Sequence, residues 1–181
     1  MLPSPEDLRR AAAEESIEQI RRDAAQAPER IRALLFYIEQ HLFDRELNVN
    51  RLKEACRVRD NSIAIHFHAA VGKPPHSYIS HRRLETGARL LHASDLPVWR
   101  ISELLGFSSI QVFSRAFFRW AGLRPTVFRR TARDQGVEML VPQVAVDGES
   151  YWRRAMNGEL DVDEAADLIR RLIELYLPKP R

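Results

Sequence analysis

Two stretches of this chain follow one pattern: a short helix, a tight turn and a second helix. The first is VNRLKEAC–RVRD–NSIAIHFHAAVG, residues 49–72, and the second is VWRISELL–GFS–SIQVFSRAFFRWAG, residues 98–122. A repeat of this kind leaves little freedom for anything but packed helices. The rest of the chain agrees. Ser4, Pro5, Glu6 and Asp7 form a helix-starting sequence for residues 5–26. In PERIRALLFYIEQHL, the residues Ile31, Leu34, Leu35, Ile38 and Leu42 share one helical face. A long helix is expected from Pro75 to Ala93, with Tyr78, Ile79, Leu84, Leu90 and Leu91 inward. Strand-period alternation persists nowhere. The expected fold is all-α: two helix-turn-helix subdomains joined by a long linker helix, with extra N- and C-terminal helices.

Turn chemistry refines the two repeats. In the first, Asn48 or Asn50 caps a short helix burying Leu52, Ala55 and Cys56, and Asp60 or Asn61 caps a second that faces Ile63, Phe67 and Ala70 inward. In the second, Ser94 to Pro97 break the long helix and cap the next. Ser108 or Ser109 then caps a helix that runs through Trp120. Gly122 and Pro125 close the unit, leaving a short helical turn near Val127–Arg130. Residues 134–147 read as an extended linker, followed by a helical pair whose second member, 161–177, has Val162, Ile169, Leu172, Ile173 and Tyr176 on an apolar face. The expected division is an N-terminal helical extension at 1–29, a double helix-turn-helix domain at 30–133, and a linker with a helical pair at 134–181.

Charge narrows the function. Residues 1–44 hold 6 basic and 9 acidic side chains, residues 45–133 hold 16 and 6, and residues 134–181 hold 6 and 10. A basic centre between acidic ends points to a polyanionic partner for the centre. No apolar run is long enough to cross a membrane, and the N-terminus has no apolar signal region, so no membrane partner is expected. Cys56 is the only cysteine, which excludes an intrachain disulfide and fits a reducing cytoplasm. Seven scattered glycines offer no phosphate-cradling loop.

The segment GFSSIQVFSRAFFRWAGLRPTVFRR, residues 106–130, crowds phenylalanine and arginine together. A recognition helix needs both. One stripe must pack on its scaffold, the opposite stripe must offer polar or forked groups to base edges, and the flanks must hold phosphates. Phe113, Phe117 and Trp120 fall at helical spacing as the packing stripe. Gln111, Ser114 and Arg115, with Phe118 beside them, fall on another face. Gln111 and Arg115 are one turn apart, and can bond adenine and guanine bidentately. Ser109 and Arg119 flank them as phosphate contacts. The same segment, seen alone, also reads as an amphipathic helix with a solvated polar side.

His66 and His68 are two apart on a helix and point to different faces, so no single metal ion is expected to take both. Cys56 lies on a packing side, without an activating base. No nucleophile–base pair can be assembled, so no enzyme activity and no cofactor are expected.

Residues 30–130 resemble the DNA-binding domain of the AraC/XylS family of bacterial transcription activators. The residues that carry the resemblance most strongly are Ile101, Gly106, Phe107, Ser109, Phe113, Arg115, Phe117, Gly122, Pro125, Phe128 and Arg129. In the first repeat Leu52, Ala55, Phe67, Gly72 and Tyr78 match, and RRLETGARLL is similar to the family's linker helix. The resemblance implies seven helices, two helix-turn-helix units on one rigid linker, and recognition helices in successive major grooves. It maps the first unit's base-facing positions to Asn61, Ser62, Ala64, Ile65 and His68. Ala64 and Ile65 offer only apolar contact, for example to a thymine methyl, so the first unit is expected to read bases less strictly. Gly87 stands where the family tends to have alanine, which implies a close helix approach. The family's usual ligand-sensing domain is not recognisable in residues 1–29 or 134–181.

The expected function is therefore a sequence-specific DNA-binding transcriptional regulator. A helical interaction adaptor with weakened base reading is the alternative. Double-stranded DNA is the expected partner. RNA polymerase is a candidate second partner, and the terminal helices are expected to pack together, within one chain or across a homodimer.

Overall fold

The computed structural model describes residues 3–58 and 62–134. Every regular element among them is helical. They are α1 (Pro5–Gln26), α2 (Glu29–His41), α3 (Val49–Ala55), α4 (Ile63–Val71), α5 (Pro75–Ala93), α6 (Val98–Leu104), α7 (Ile110–Ala121) and α8 (Pro125–Asp134). The seven helices implied for residues 30–130 are α2 to α8. The expected linker and helical pair at 134–181 lie outside the described residues, apart from Asp134 at the end of α8.

Two cores form, one per repeat. Ile31, Leu34, Leu35 and Ile38 of α2 meet Leu52, Ile63, Phe67, Tyr78 and Ile79 in the first. Leu84, Ala88, Leu90 and Leu91 of α5 meet Ile101, Phe113, Phe117 and Phe128 in the second. The linker helix α5 therefore gives its first half to one core and its second half to the other. Gly87 lets it do so at close range. A Cβ there would lie 2.8 Å from Leu105 Cδ1 and 3.3 Å from Phe113 Cε2, which accounts for glycine in a helix interior despite its cost of ~1 kcal/mol.

Helix α1 belongs to this body. Its start carries a reciprocal cap, with Ser4 Oγ accepting from the Asp7 amide and Asp7 accepting from the Ser4 amide. Ile20 and Ala24 enter the first core, while Leu8 and Ala12 lie against the second.

Some local expectations change. Ala55 and Ala70 are exposed rather than buried, because the helices bearing them are too short and too peripheral to be enclosed on that side. Helix α4 begins at Ile63 with Ser62 in the N-cap position, and the expected caps Asp60 and Asn61 lie outside the described residues. Pro97, not a side-chain cap, precedes α6, while the Ser94 hydroxyl donates back to Leu90 O at 2.6 Å. Helix α8 has ten residues instead of a short turn, since burial of Phe128 in the second core extends it. Cys56 is half-buried, its thiol within 3.8 Å of Ala33 O, and burial pushes that thiol up from its usual range.

Candidate nucleic-acid interface

Helix α7 is built as a two-faced element. The Ser109 hydroxyl accepts the Val112 amide at 3.2 Å and starts the helix. Gly122, at φ 71°, ends it in the left-handed region. Between them Phe113 and Phe117 are completely buried, stacked edge-on into Phe107 and Phe128. Trp120 is half-buried on the same side, and its indole N–H donates to His81 Nδ1 of α5 at 3.1 Å. The stripe is therefore fixed both by packing and by one oriented hydrogen bond.

The opposite stripe is open. Gln111, Arg115 and Arg119 are exposed, and Ser114 is half-buried beside them. Phe118 is 43% exposed within this polar stripe. No acidic residue occurs in α7 or α4. Among the described residues no carboxylate pairs with Arg115 or Arg119, so both guanidinium groups are available to an outside anion.

Helix α4 has the same plan with different chemistry. Ile63 and Phe67 are buried, and Phe67 meets Tyr78 edge-on at 5.5 Å. On the other side His66, His68 and Ala69 are exposed, Ser62 and Ala64 are half-buried, and Ile65 stands 70% exposed. Asn61 lies outside the described residues. An isoleucine so open in the first turn of a nine-residue helix has no packing role among the described residues. It offers an apolar contact and no hydrogen bond. His66 and His68 project from one helix with no third ligand, and no cluster of metal-binding side chains occurs among the described residues.

The two units are tied together through the loop between α2 and α3 and the turn between α6 and α7. Arg83 of α5 is buried and donates to three main-chain carbonyls: Leu42 at 2.7 Å, Asp44 at 2.7 Å and Gly106 at 3.0 Å. The first two lie in the loop between α2 and α3, the third in the turn between α6 and α7. Burial pushes its guanidinium down to about 10, which still leaves it charged at neutral pH. Arg45 adds a bond to Ser108 O at 3.0 Å. Gly106, at φ 73°, packs so closely that a Cβ would sit 2.4 Å from Phe43 O. No composition or periodicity signal singles out Arg83. Only its place in RRLETGARLL, in the middle of an otherwise inward-facing linker, hints at it.

Beside this joint lies a second polar group. The Glu85 carboxylate lies 2.9 Å from Arg82 Nη1 and 3.4 Å from His81 Nε2. Burial raises its pKa, but the His81 contact and the Arg82 charge outweigh this and hold it below its ordinary range. Tyr78 donates its hydroxyl hydrogen to Asp23 of α1.

Comparison with known proteins decides the type of unit. The family described as "Helix-turn-helix domain" matches residues 52–131. The HTH-type transcriptional regulator YobQ of Bacillus subtilis is 33% identical over 99 residues, 55% of this chain and 41% of that protein. A protein of Streptomyces antibioticus, described as an AraC-like transcription regulator, is 33% identical over 82 residues, 45% of this chain and 27% of its own length. The solved C-terminal domain of AraT, a response regulator from Geobacillus stearothermophilus, superposes with a TM-score of 0.56 at 25% identity. It covers 59% of this chain and 88% of that domain.

The chain carries an AraC-type helix-turn-helix domain.

The matched stretch spans less than half the length of either curated relative. Within the AraC-type domain, α3 with α4 and α6 with α7 are the two helix-turn-helix units, and α5 joins them. The family match at 52–131 begins after α1 and α2, yet both contribute buried residues to its first core. No helix among the described residues is long and apolar enough to cross a membrane.

Proposed function

We propose that this chain is a sequence-specific DNA-binding regulator of transcription, reading base edges chiefly with α7. The observation that carries this is the division of α7 into a buried phenylalanine stripe and an open stripe bearing Gln111, Ser114 and Arg115. Gln111 suits the adenine edge and Arg115 the guanine edge. Ser109 and Arg119 serve as phosphate contacts at the two ends of the helix. In α4, Ile65 suits a thymine methyl, with Ser62, His68 and the sequence-assigned Asn61 as its polar partners on DNA, and the first unit acts mainly through backbone contacts. RNA polymerase is a further partner under this reading, as is a second copy of the chain. The cytoplasm is the compartment, and no catalytic role is proposed.

The exposed Ile65 also supports a second reading, a helical protein-interaction adaptor that has lost base reading. Selection of bound sequences from a random duplex pool separates the two. A regulator yields a motif, and its affinity falls steeply with salt. An adaptor yields none. With a motif in hand, Gln111→Ala and Arg115→Ala should each weaken binding by ~1–3 kcal/mol and relax preference at one or two base pairs. Unchanged base preference in both variants rules out this use of α7. The motif should also carry less information over the groove facing α4 than over the one facing α7.

A further inference from the structure

Helix α1 lies outside the family match, and none of its side chains is in the proposed interface. Its contacts are nevertheless not confined to one unit. Its C-terminal half sits in the first core through Ile20 and Ala24. Its N-terminal half reaches the second unit. Glu6 pairs with Arg100 of α6 at 3.0 Å, and Leu8 lies against the second core. Arg9 approaches Leu104 O at 3.5 Å, and its guanidinium stands 5.1 Å over the Phe43 ring, which borders both cores.

Between these ends α1 runs antiparallel to α5. Asp23 accepts from Tyr78, Ser16 Oγ meets Thr86 Oγ1 at 3.2 Å, and Glu15 pairs with Arg89. The order of partners reverses along the two helices, as it must for antiparallel neighbours. So, beside the joint that Arg83 closes, the two helix-turn-helix units are bridged by two helices, α5 within the domain and α1 alongside it. The joint ties the units at one place and leaves rotation about it. A helix fixed to both units at separated points restricts that rotation.

We propose that α1 is a strut that sets the mutual orientation of α4 and α7, with Glu6, Leu8 and Arg9 as the positioning residues at its second-unit end. The inference rests on the DNA-binding reading above. Its consequence is a fixed spacing between the two half-sites. Adding one base pair between half-sites turns and displaces one groove relative to the other, and a rigid pair of helices cannot follow.

The test compares the whole chain with its Glu6→Ala/Leu8→Ala/Arg9→Ala variant, in which Ile20 and Ala24 still hold α1 on the first core. Both are measured on a selected two-half-site duplex and on the same duplex lengthened by one base pair. The wild type should discriminate sharply between them. In the variant the ratio of affinities should fall toward one, while the base preference within each half-site stays unchanged. A merely stabilising role would lower the melting temperature without moving that ratio.

A second measurement needs no DNA. Spin labels at Ala69→Cys and Val112→Cys, in a Cys56→Ser background, report the distance between α4 and α7. The distribution should be narrow with the native α1 and broadened in the triple variant. A variant with wild-type spacing discrimination and a wild-type distance distribution overturns the proposal. So does a variant that no longer melts cooperatively, because α1 would then be core on which the units depend. If the wild type binds no duplex, the DNA-binding reading fails, and the distance distribution alone decides the strut.

Discussion

Replacing Arg83 with methionine should destabilise the protein by ~3–4 kcal/mol. Methionine fills the volume of the arginine stem but supplies no donor. Three main-chain carbonyls lose their partner: Leu42, Asp44 and Gly106. The bond to Asp44 O is only partly buried, so water can replace it. The bonds to Leu42 O and Gly106 O are buried, and each orphaned carbonyl costs ~1–3 kcal/mol. Because the acceptors are neutral, no uncompensated charge remains, and the loss stays below the upper range for broken buried ion pairs. For a chain of this size each kcal/mol moves the melting temperature by roughly 2–4 °C, so a drop of about 10 °C is expected by circular dichroism. Arg83→Lys provides the control. One ammonium cannot reach three carbonyls set around a planar fork, so its melting temperature should fall between those of wild type and Arg83→Met. A methionine variant within ~1 kcal/mol of wild type, or a lysine variant equal to wild type, would refute the clamp.

Two further substitutions probe the turns and the buried acid. Arg57, exposed and at φ 54° in the turn between α3 and α4, holds a left-handed backbone. Arg57→Gly should raise stability by ~0.5–1 kcal/mol, the relief of strain exceeding the extra entropy of the unfolded chain; a lower denaturation midpoint would count against that strain. Glu85 has a folded-state pKa held below its ordinary value, so its contribution is complete above the unfolded pKa and is lost as pH falls through the folded one. Glu85→Gln should therefore flatten the fall of the melting temperature on the acid side of the ordinary glutamate range, and an acid limb as steep as wild type would show that Glu85 is not its source.

The sequence made the helices and the packing stripes readable because they depend on local periodicity. The five apolar residues assigned to the face of α2 and the five assigned inward on α5 are all buried. Phe113 and Phe117 were separable from Gln111 and Arg115 for the same reason, since a single helix sorts them. Joints between distant segments leave no such trace. Arg83 bonds residues 41, 39 and 23 positions away, and nothing in its neighbours announces those carbonyls. The few large apolar residues in α1 likewise gave no sign of a helix laid across both cores, because beside Leu8 and Ile20 its attachment uses alanines, Ser16 and ion pairs. The expected packing of the C-terminal helical pair with the N-terminal region falls outside the described residues.

The two turns show how one motif is read twice under different constraints. Arg57 and Gly106 occupy the same place in their units, two residues past the end of the short helix, and both are left-handed at φ 54° and 73°. Periodicity and turn propensity would ask for glycine at each. The second unit needs it for two reasons, since the backbone of Phe43 leaves no room for a Cβ. The first unit meets only the conformational reason, which costs on the order of 1 kcal/mol and leaves a side chain in solvent. An arginine is affordable there and not at Gly106. The asymmetry follows from where each residue sits: Gly106 is pressed into the joint that Arg83 closes, and Arg57 is exposed to solvent. The unit whose α7 bears Gln111 and Arg115 is thus also the one whose turn is fixed against its neighbour, so the side chains proposed to read bases stand behind the more tightly held turn.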